Sequence, residues 1–300
     1  MSRTAARPPP WDPESRLQVL EGDCLERLAE IAVGRSRLFD LVYLDPPFNA
    51  GGTRKARLAA SGERANGTPA YVDHFGDVSS FIEMLEPRLT ALRTVMSPRS
   101  SMWLHLGHQT VHEAKLAAER VFGAGSFRGE VIWVPGNGGR RRNGPSVTHQ
   151  TILIFQKGGE MIWNDSEPSL REPYADTSLR MHFTREDGAG RRYRERIIRG
   201  KAYRYYADEG RRLGSVWVDC PAMSANTPLN AETTGYPTQK PESLLERIIR
   251  AASVADSWVL DPMCGSGTTL AVASRLGRAC VGIDKGSVAC GVVRRRLGLA

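Results

Sequence analysis

Val259-Leu260-Asp261-Pro262-Met263-Cys264-Gly265-Ser266-Gly267-Thr268-Thr269 is the stretch on which the fold turns. An apolar run reaches Asp261, a Gly-x-Gly turn follows, and Leu270–Leu276 then repeats at helical period. A strand passing through such a turn into a helix brings backbone close to a ligand and aims helix N–H groups at an anion. Asp284 closes the next apolar run, Ala279–Ile283, 17 residues after Gly267. An acid there can accept both hydroxyls of a ribose, so the pair of features indicates a nucleotide-like cofactor. A nicotinamide dehydrogenase would place a third glycine at position 270, which is Leu, and no G-x-x-x-x-G-K-[ST] loop occurs. Too few residues follow Gly267 to complete a βαβαβ half. The cofactor strand must therefore pair with strands from the N-terminal part, in a permuted order.

Outward from this loop, apolar runs and helical periods alternate. Strands are expected at Leu17–Glu21, Phe39–Leu44, Ser101–Leu106, Glu130–Val134, Thr151–Phe155 and Ser257–Leu260. Helices are expected at Cys24–Ala32, from Ser80 to Met96 behind an S-x-x-E capping box and through a kink at Pro87, at His108–Phe122, at Pro241–Ala252 with Pro first, and after Asp284. The alternation predicts an α/β fold with a mainly parallel sheet and an antiparallel edge. Residues 1–16, with Pro8-Pro9-Pro10, read as a flexible leader, and Asn49 to Pro69 as a long loop without hydrophobic period, a lid or an insertion. From 164 to 235 the regular pattern gives way to polar sequence rich in Arg, Tyr, Ser and Pro, a separate small module.

Asp45-Pro46-Pro47-Phe48 follows the second predicted strand, at the carboxyl end where open α/β sheets carry their sites. Its chemistry suits an exocyclic amine. The lone pair of adenine N6 or cytosine N4 is delocalised into the ring and becomes nucleophilic only when the N–H bonds are drawn out of conjugation. A carboxylate and a rigid carbonyl can both accept from that NH₂ group, and Phe offers a stacking face. Asp45, the Pro46 carbonyl, Pro47 and Phe48 fit these roles; a proline-ended strand with a core Phe would explain the string equally at this point.

Taken together, the two motifs resemble those of the S-adenosylmethionine-dependent DNA amino-methyltransferases. Asp45–Phe48 is similar to their DPPY motif and Asp261–Thr269 to their DPFCGSGTT loop, and the order, catalytic motif first, looks like the β class. Tyr236-Pro237-Thr238-Gln239-Lys240-Pro241 resembles YPTQKP, Gly22-Asp23-Cys24 the segment beside the cofactor adenine, and Val281–Asp284 the ribose-binding strand end. Met263 replaces the usual Phe and Phe48 the frequent Tyr. The resemblance implies a Rossmann-like methyltransferase fold in circularly permuted order, with residues 17–163 and 236–300 catalytic and a target-recognition insertion at 164–235. It implies S-adenosylmethionine held by Asp23, Cys24, Thr238, Lys240, Asp261, Met263, Cys264, Gly265, Gly267, Thr268 and Asp284. Transfer to adenine N6 in double-stranded DNA follows, since N4-cytosine members more often carry Ser in place of Asp45; N4-cytosine, RNA and non-catalytic DNA-binding alternatives stay open. A homodimer and a cognate restriction endonuclease are admitted as partners, although no exposed apolar stripe derives a dimer.

Composition agrees with a nucleic-acid partner. Among 300 residues, 41 Lys+Arg against 33 Asp+Glu give a formal charge of +8, and only six of the 41 are Lys, an excess of the guanidinium that suits phosphates and guanine edges. Arg140, Arg141 and Arg142 lie in a Gly/Asn loop, and Arg191, Arg192 and Arg194 in a stretch where Tyr193, Tyr203, Tyr205 and Tyr206 interleave ten cations. Both are candidate DNA contacts. The five Cys form no C-x-x-C pair, which fits reduced thiols in a cytoplasmic setting, and no secretory or membrane-spanning run is present. His105, His108 and His112 lack a Cys or carboxylate to complete a metal site, and Cys264 and Cys220 read as small buried hydrophobes rather than nucleophiles.

Overall fold

The computed structural model describes residues 11–34, 38–56, 67–139, 141–223 and 232–299. In chain order the strands are β1 (Leu17–Glu21), β2 (Phe39–Leu44), β3 (Thr53–Ala56), β4 (Thr68–Val72), β5 (Met96–Leu106), β6 (Phe127–Trp133), β7 (Gln150–Gln156), β8 (Arg171–Glu172), β9 (Arg185–Glu186), β10 (Arg192–Ile198), β11 (Lys201–Tyr206), β12 (Arg211–Arg212), β13 (Val216–Trp217), β14 (Trp258–Asp261) and β15 (Ala279–Asp284). The helices are α1 (Cys24–Gly34), α2 (Val78–Val95), α3 (Val111–Phe122), α4 (Asp176–His182), α5 (Glu242–Ala252), α6 (Thr268–Arg275) and α7 (Ser287–Leu297).

The central sheet runs β1-β15-β14-β2-β5-β7-β6-β13. β1, β15, β14, β2 and β5 are parallel, whereas β7 is antiparallel to both β5 and β6. This is the α/β, Rossmann-like arrangement with an antiparallel side, and the permutation is visible in the pairing of β14 with β2. β14 is buried along its whole length and β2 at every residue but one, as expected of strands covered on both faces. On one face α2 buries Phe81, Leu85, Leu89 and Leu92 at helical spacing, in a core that includes Leu104, Leu153 and Leu260.

Several expectations need correction. The leader is ordered from Trp11, whose indole packs against Phe39 and Trp258 at ring distances of 6.4 and 6.1 Å; residues 1–10 lie outside the described residues. The Asn49–Pro69 segment is not a structureless loop, because β3 pairs antiparallel with β4, though positions 57–66 are outside the described residues. The cap of α2 is Asp77, whose carboxylate accepts the Ser80 N–H at 2.8 Å, three residues before the helix start read from the capping box; the helix runs on through Pro87. α3 starts at Val111, and β5 starts at Met96 because the β2–β5 ladder already pairs Phe39 with Met96.

The small module expected at 164–235 is shorter as a compact unit. Asn164–Ser215 forms a compact unit of its own, while β13 pairs with β6 and Trp133 Nε1 donates to the Cys220 carbonyl at 2.7 Å. The described residues 216–223 and 232–235 therefore belong to the larger unit, which also holds the central sheet. Within Asn164–Ser215 a three-stranded sheet, β11-β10-β9, and a two-stranded one, β12-β8, surround buried Leu170, Tyr174, Phe183 and Tyr193.

Space between the sheet and its helices is fully used at Gly282, where an added Cβ would stand 2.8 Å from Leu270 and 3.0 Å from the Cys264 Sγ. Gly282→Ala is expected to lower stability by about 1–3 kcal/mol through overpacking, read from urea denaturation midpoints.

Candidate active site

Because β2 and β14 are adjacent and parallel, their carboxyl ends deliver Asp45 and Asp261 to one rim of the sheet. A cavity of about 1030 Å³ opens there. Four separate segments line it: Gly22–Cys24, the Asp45–Phe48 motif, Tyr236–Lys240 and the Asp261–Ser266 turn, together with Thr268 and Asp284. Every residue assigned to catalysis or cofactor from the sequence reaches this cavity except Gly267. That glycine has φ +73°, and a Cβ on it would stand 2.7 Å from Val293 of α7, so it serves close helix packing and not approach to a ligand.

Gly265 (φ +49°) is covered by Tyr236, whose ring would lie 3.2 Å from an added Cβ. The loop is held from beneath by Asp284. Its Oδ2 accepts the Gly265 N–H at 2.9 Å and its Oδ1 the Gly286 N–H at 2.8 Å, while burial pushes its carboxyl above the usual range against these bonds. Arg296 of α7 donates to the Ser266 carbonyl (3.3 Å) and Thr268 Oγ1 (3.1 Å), and its other nitrogen pairs with Glu242 at 2.6 Å. Asp23 caps α1 at the Leu25 N–H (2.9 Å) and pairs with Arg88 of α2 at 3.0 Å. Cys24 beside it is buried, and burial raises its thiol to about 11.

Asp45 is the centre of the opposite wall. Lys240, itself 8% exposed, pairs with Asp45 Oδ2, and its ammonium lies 5.1 Å from the Phe48 ring centroid. Asp45 Oδ1 is buried and has no hydrogen-bond partner among the described residues. Burial raises the Asp45 pKa, Lys240 opposes that rise, and the nearby Asp73 adds to it. Behind Phe48 stands His105, with its ring 5.8 Å from Phe48 and 5.4 Å from Trp133 and its Nδ1 2.6 Å from the Tyr43 hydroxyl. Burial, reinforced by Lys240, holds this imidazole neutral. His105 thus builds the aromatic wall. Asp261 accepts the Met263 N–H at 3.2 Å, and burial moves its carboxyl up to about 7.

The sequence did not single out the strand pair β3–β4, which adds Arg54, Tyr71 and Asp73 to the cavity. The Tyr71 hydroxyl lies 2.9 Å from Thr238 Oγ1, and its ring stacks on Tyr236 at 6.4 Å. A Tyr-x-Asp repeat at strand spacing is the only trace of this in the sequence. The candidate DNA arginines do not join the cavity. Arg141 bonds His108 at 2.7 Å, Arg142 is exposed, and Arg140 is outside the described residues. Arg191 is bidentate on Asp208 and also pairs with Glu209, Arg192 donates to the Phe183 and Leu179 carbonyls, and Arg194 lies among the rings of Tyr174, Phe183 and Tyr205. All of these contacts lie within Asn164–Ser215. Cys264 and Cys220 are buried thiols whose pKa values are raised by desolvation, as expected of small hydrophobes.

The profile of the DNA methylase family, which covers N6- and N4-acting members, matches residues 39–294. The chain belongs to the DNA methylase family. This methylase is 25% identical over 304 residues to the Type II methyltransferase M.EcaI of Enterobacter cloacae, covering 86% of this chain and 64% of that protein, so it spans about two thirds of that relative's length. It is also 25% identical over 299 residues to the DNA adenine methyltransferase YhdJ of Escherichia coli (strain K12), covering 99% of this chain and 88% of that one. Among solved structures, the M1.HpyAVI–SAM complex superposes with a TM-score of 0.58 at 17% identity over 94% of this chain and 99% of the other. The cytosine-N4-specific PvuII DNA methyltransferase gives 0.57 at 15% identity over 93% and 85%. These two likenesses establish the shared fold. No helix among the described residues of the methylase is long and apolar enough to cross a membrane.

Two outcomes follow from the buried acids. Folded Asp261 keeps its proton to about pH 7, whereas the unfolded residue loses it near pH 3.9, about the model-peptide value. Between these values the folded state binds more protons, so stability falls as pH rises, and Asp261→Asn should flatten that slope in urea melts between about pH 4 and about pH 7. Lys240→Met removes the cation that lowers the Asp45 pKa. The acid limb of the pH–rate profile should then move to higher pH, with Lys240→Arg retaining more of the wild-type profile.

Proposed function

We propose that this methylase is a site-specific, S-adenosylmethionine-dependent DNA methyltransferase acting on adenine N6 in double-stranded DNA after extrusion of the base. The observation that carries the proposal is the Asp45 carboxylate, one oxygen on Lys240 and the other buried and free, beside the Phe48 ring on the wall of the cavity that also contains the glycine turn.

The cavity fits the cofactor. Two buried carboxylates on its wall, Asp45 and Asp73, each leave one oxygen without a hydrogen-bond partner among the described residues, which suits a ligand carrying an ammonium. Asp23, Cys24 and Met263 would take its adenine, Asp284 its ribose, and Thr238, Lys240 and Asp261 its methionine end, with Gly265, Cys264 and Thr268 lining the turn. Bound there, it supplies an electrophilic methyl group. Asp45 Oδ1 and the Pro46 carbonyl accept the two N–H bonds of the target amine and draw its lone pair out of the ring. Pro47 stiffens that backbone, and Phe48, backed by His105 and Trp133, stacks on the extruded base. Lys240 opposes the rise that burial imposes on the Asp45 pKa and so favours the ionised form, whose Oδ1 can take the proton that leaves the nitrogen.

Adenine is favoured by Asp at position 45 and by the likeness to an adenine methyltransferase over nearly the whole chain. The PvuII likeness keeps cytosine N4 as the second reading. The unit Asn164–Ser215 is proposed as the target-recognition region. Arg191, Arg204 and Arg211 there are paired with acids, whereas Arg196 and Arg199 have no acidic partner among the described residues and flank exposed Ile197 (74%) near the β10–β11 turn. DNA contact is accordingly proposed within this unit through Arg196, Arg199 and Lys201, and independently in the loop after β6 through Arg141 and Arg142. A homodimer and a cognate restriction endonuclease accompany the same reading as partners.

Nucleoside mass spectrometry of unmethylated genomic DNA treated with protein and S-adenosylmethionine should show N6-methyladenine, absent with Asp45→Ala. N4-methylcytosine would keep the mechanism and change the base. Arg196→Ala with Arg199→Ala should weaken duplex binding and reduce the slope of log K against log salt by about 2, measured by fluorescence anisotropy.

A further inference from the structure

Asp73 is a second carboxylate built like Asp45. It follows β4, is 2% exposed and lines the cavity. Its Oδ2 accepts both Arg54 Nε (3.1 Å) and Nη2 (2.8 Å) from the paired strand β3. Its backbone is fixed as well, the N–H donating to the Gly52 carbonyl at 2.9 Å and the carbonyl accepting from Gly51 at 2.7 Å. Its Oδ1 is buried with no hydrogen-bond partner among the described residues. A carboxylate oxygen held in place and left without a donor is costly, and the cost is relieved when a ligand brings an N–H or O–H group.

The surroundings select the donor. Tyr71 lies two residues earlier, on β4, and lines the same cavity as Asp73. Its hydroxyl reaches Thr238 and its ring covers Tyr236, so β4 meets the segment to which the methionine end of the cofactor is assigned above. That end is a zwitterion, an ammonium and a carboxylate on one carbon. An Asp–Arg pair with one free carboxylate oxygen complements it, and a charged N–H donor makes the stronger hydrogen bond to that oxygen.

We infer that Asp73 Oδ1 accepts the α-ammonium group of S-adenosylmethionine, making Asp73 a cofactor-binding residue outside the motifs. The inference rests on the methyltransferase reading. It assigns Asp73 to recognition of the amino-acid end and leaves the amine of the target base to Asp45.

Calorimetric titration of the full chain with S-adenosylhomocysteine, and with its analogue in which the α-amino group is replaced by hydrogen, tests the assignment. Wild-type protein should bind the amino compound roughly ten- to a hundredfold more tightly than the deaminated one. Asp73→Asn should lower affinity for the amino compound by about that factor and leave the deaminated analogue within about twofold. Asp73→Ser should repeat the pattern, which guards against a fault of one variant, and a thermal melt of each checks folding. Equal losses for both compounds would mean that Asp73 only supports the strand pair, and would overturn the inference. A wild-type preference that survives both substitutions would also overturn it. Wild-type protein that binds neither compound would overturn the methyltransferase reading itself, and this assignment with it.

Discussion

Everything at the site depends on the parallel pairing of β14 with β2, Val259 beside Leu41 and Leu260 beside Val42. Two motifs more than 200 residues apart in sequence end at the same rim because their strands share one register. A shift of one residue would turn Asp45 or Asp261 to the opposite face. Burial on both faces fixes that register, since Leu41, Val42, Val259 and Leu260 are all fully enclosed. The chemistry is then a matter of charges carried into a closed place. Asp45, Asp261 and Asp284 are all displaced upward by burial, and each is held by a different device: an ammonium for Asp45, the Thr269 side chain with one backbone N–H for Asp261, and two backbone N–H groups for Asp284.

The glycine turn shows how such a place is kept. Gly265 and Gly267 both need positive φ, yet one meets Tyr236 and the other Val293. The turn is therefore clamped between the segment before α5 and the last helix, with Arg296 tying its carbonyl and hydroxyl groups to Glu242. A loop fixed from three sides presents its N–H groups without having to be ordered by the ligand, which lowers the entropy lost on binding.

Much of this was legible in the sequence where the signal is local. The strand ends Leu44 and Leu260, the Gly-x-Gly turn, Asp284 and the alternation of elements are short strings with fixed spacing, and the structure keeps them together. What escaped was carried by distant pairs. β3 and β4 hold no apolar period, and the Arg54–Asp73 ion pair that joins them connects positions 19 residues apart. Trp11 sits in a proline-rich context that reads as unstructured, and only Phe39 and Trp258 reveal its place. Val216–Trp217 is too short to read as a strand without β6 beside it. The partners of Arg191, Arg192 and Arg194 were equally out of reach, because nothing in the sequence marks Asp208, Glu209, two carbonyls and three aromatic rings as their neighbours.

The strand order has a consequence for how the molecule comes into being. β14 and β15, near the C-terminal end of the sequence, lie between β1 and β2. Until they are inserted, β1 has no parallel neighbour and the inner edge of β2 stands open, although both strands leave the ribosome first. The sheet is thus completed by filling a gap, a closure over long sequence distances that is slow and leaves an unpaired edge exposed meanwhile. A nascent chain of this kind would gain its cofactor pocket in a single late step, and would be more vulnerable to edge-to-edge association before that step than at any time after it.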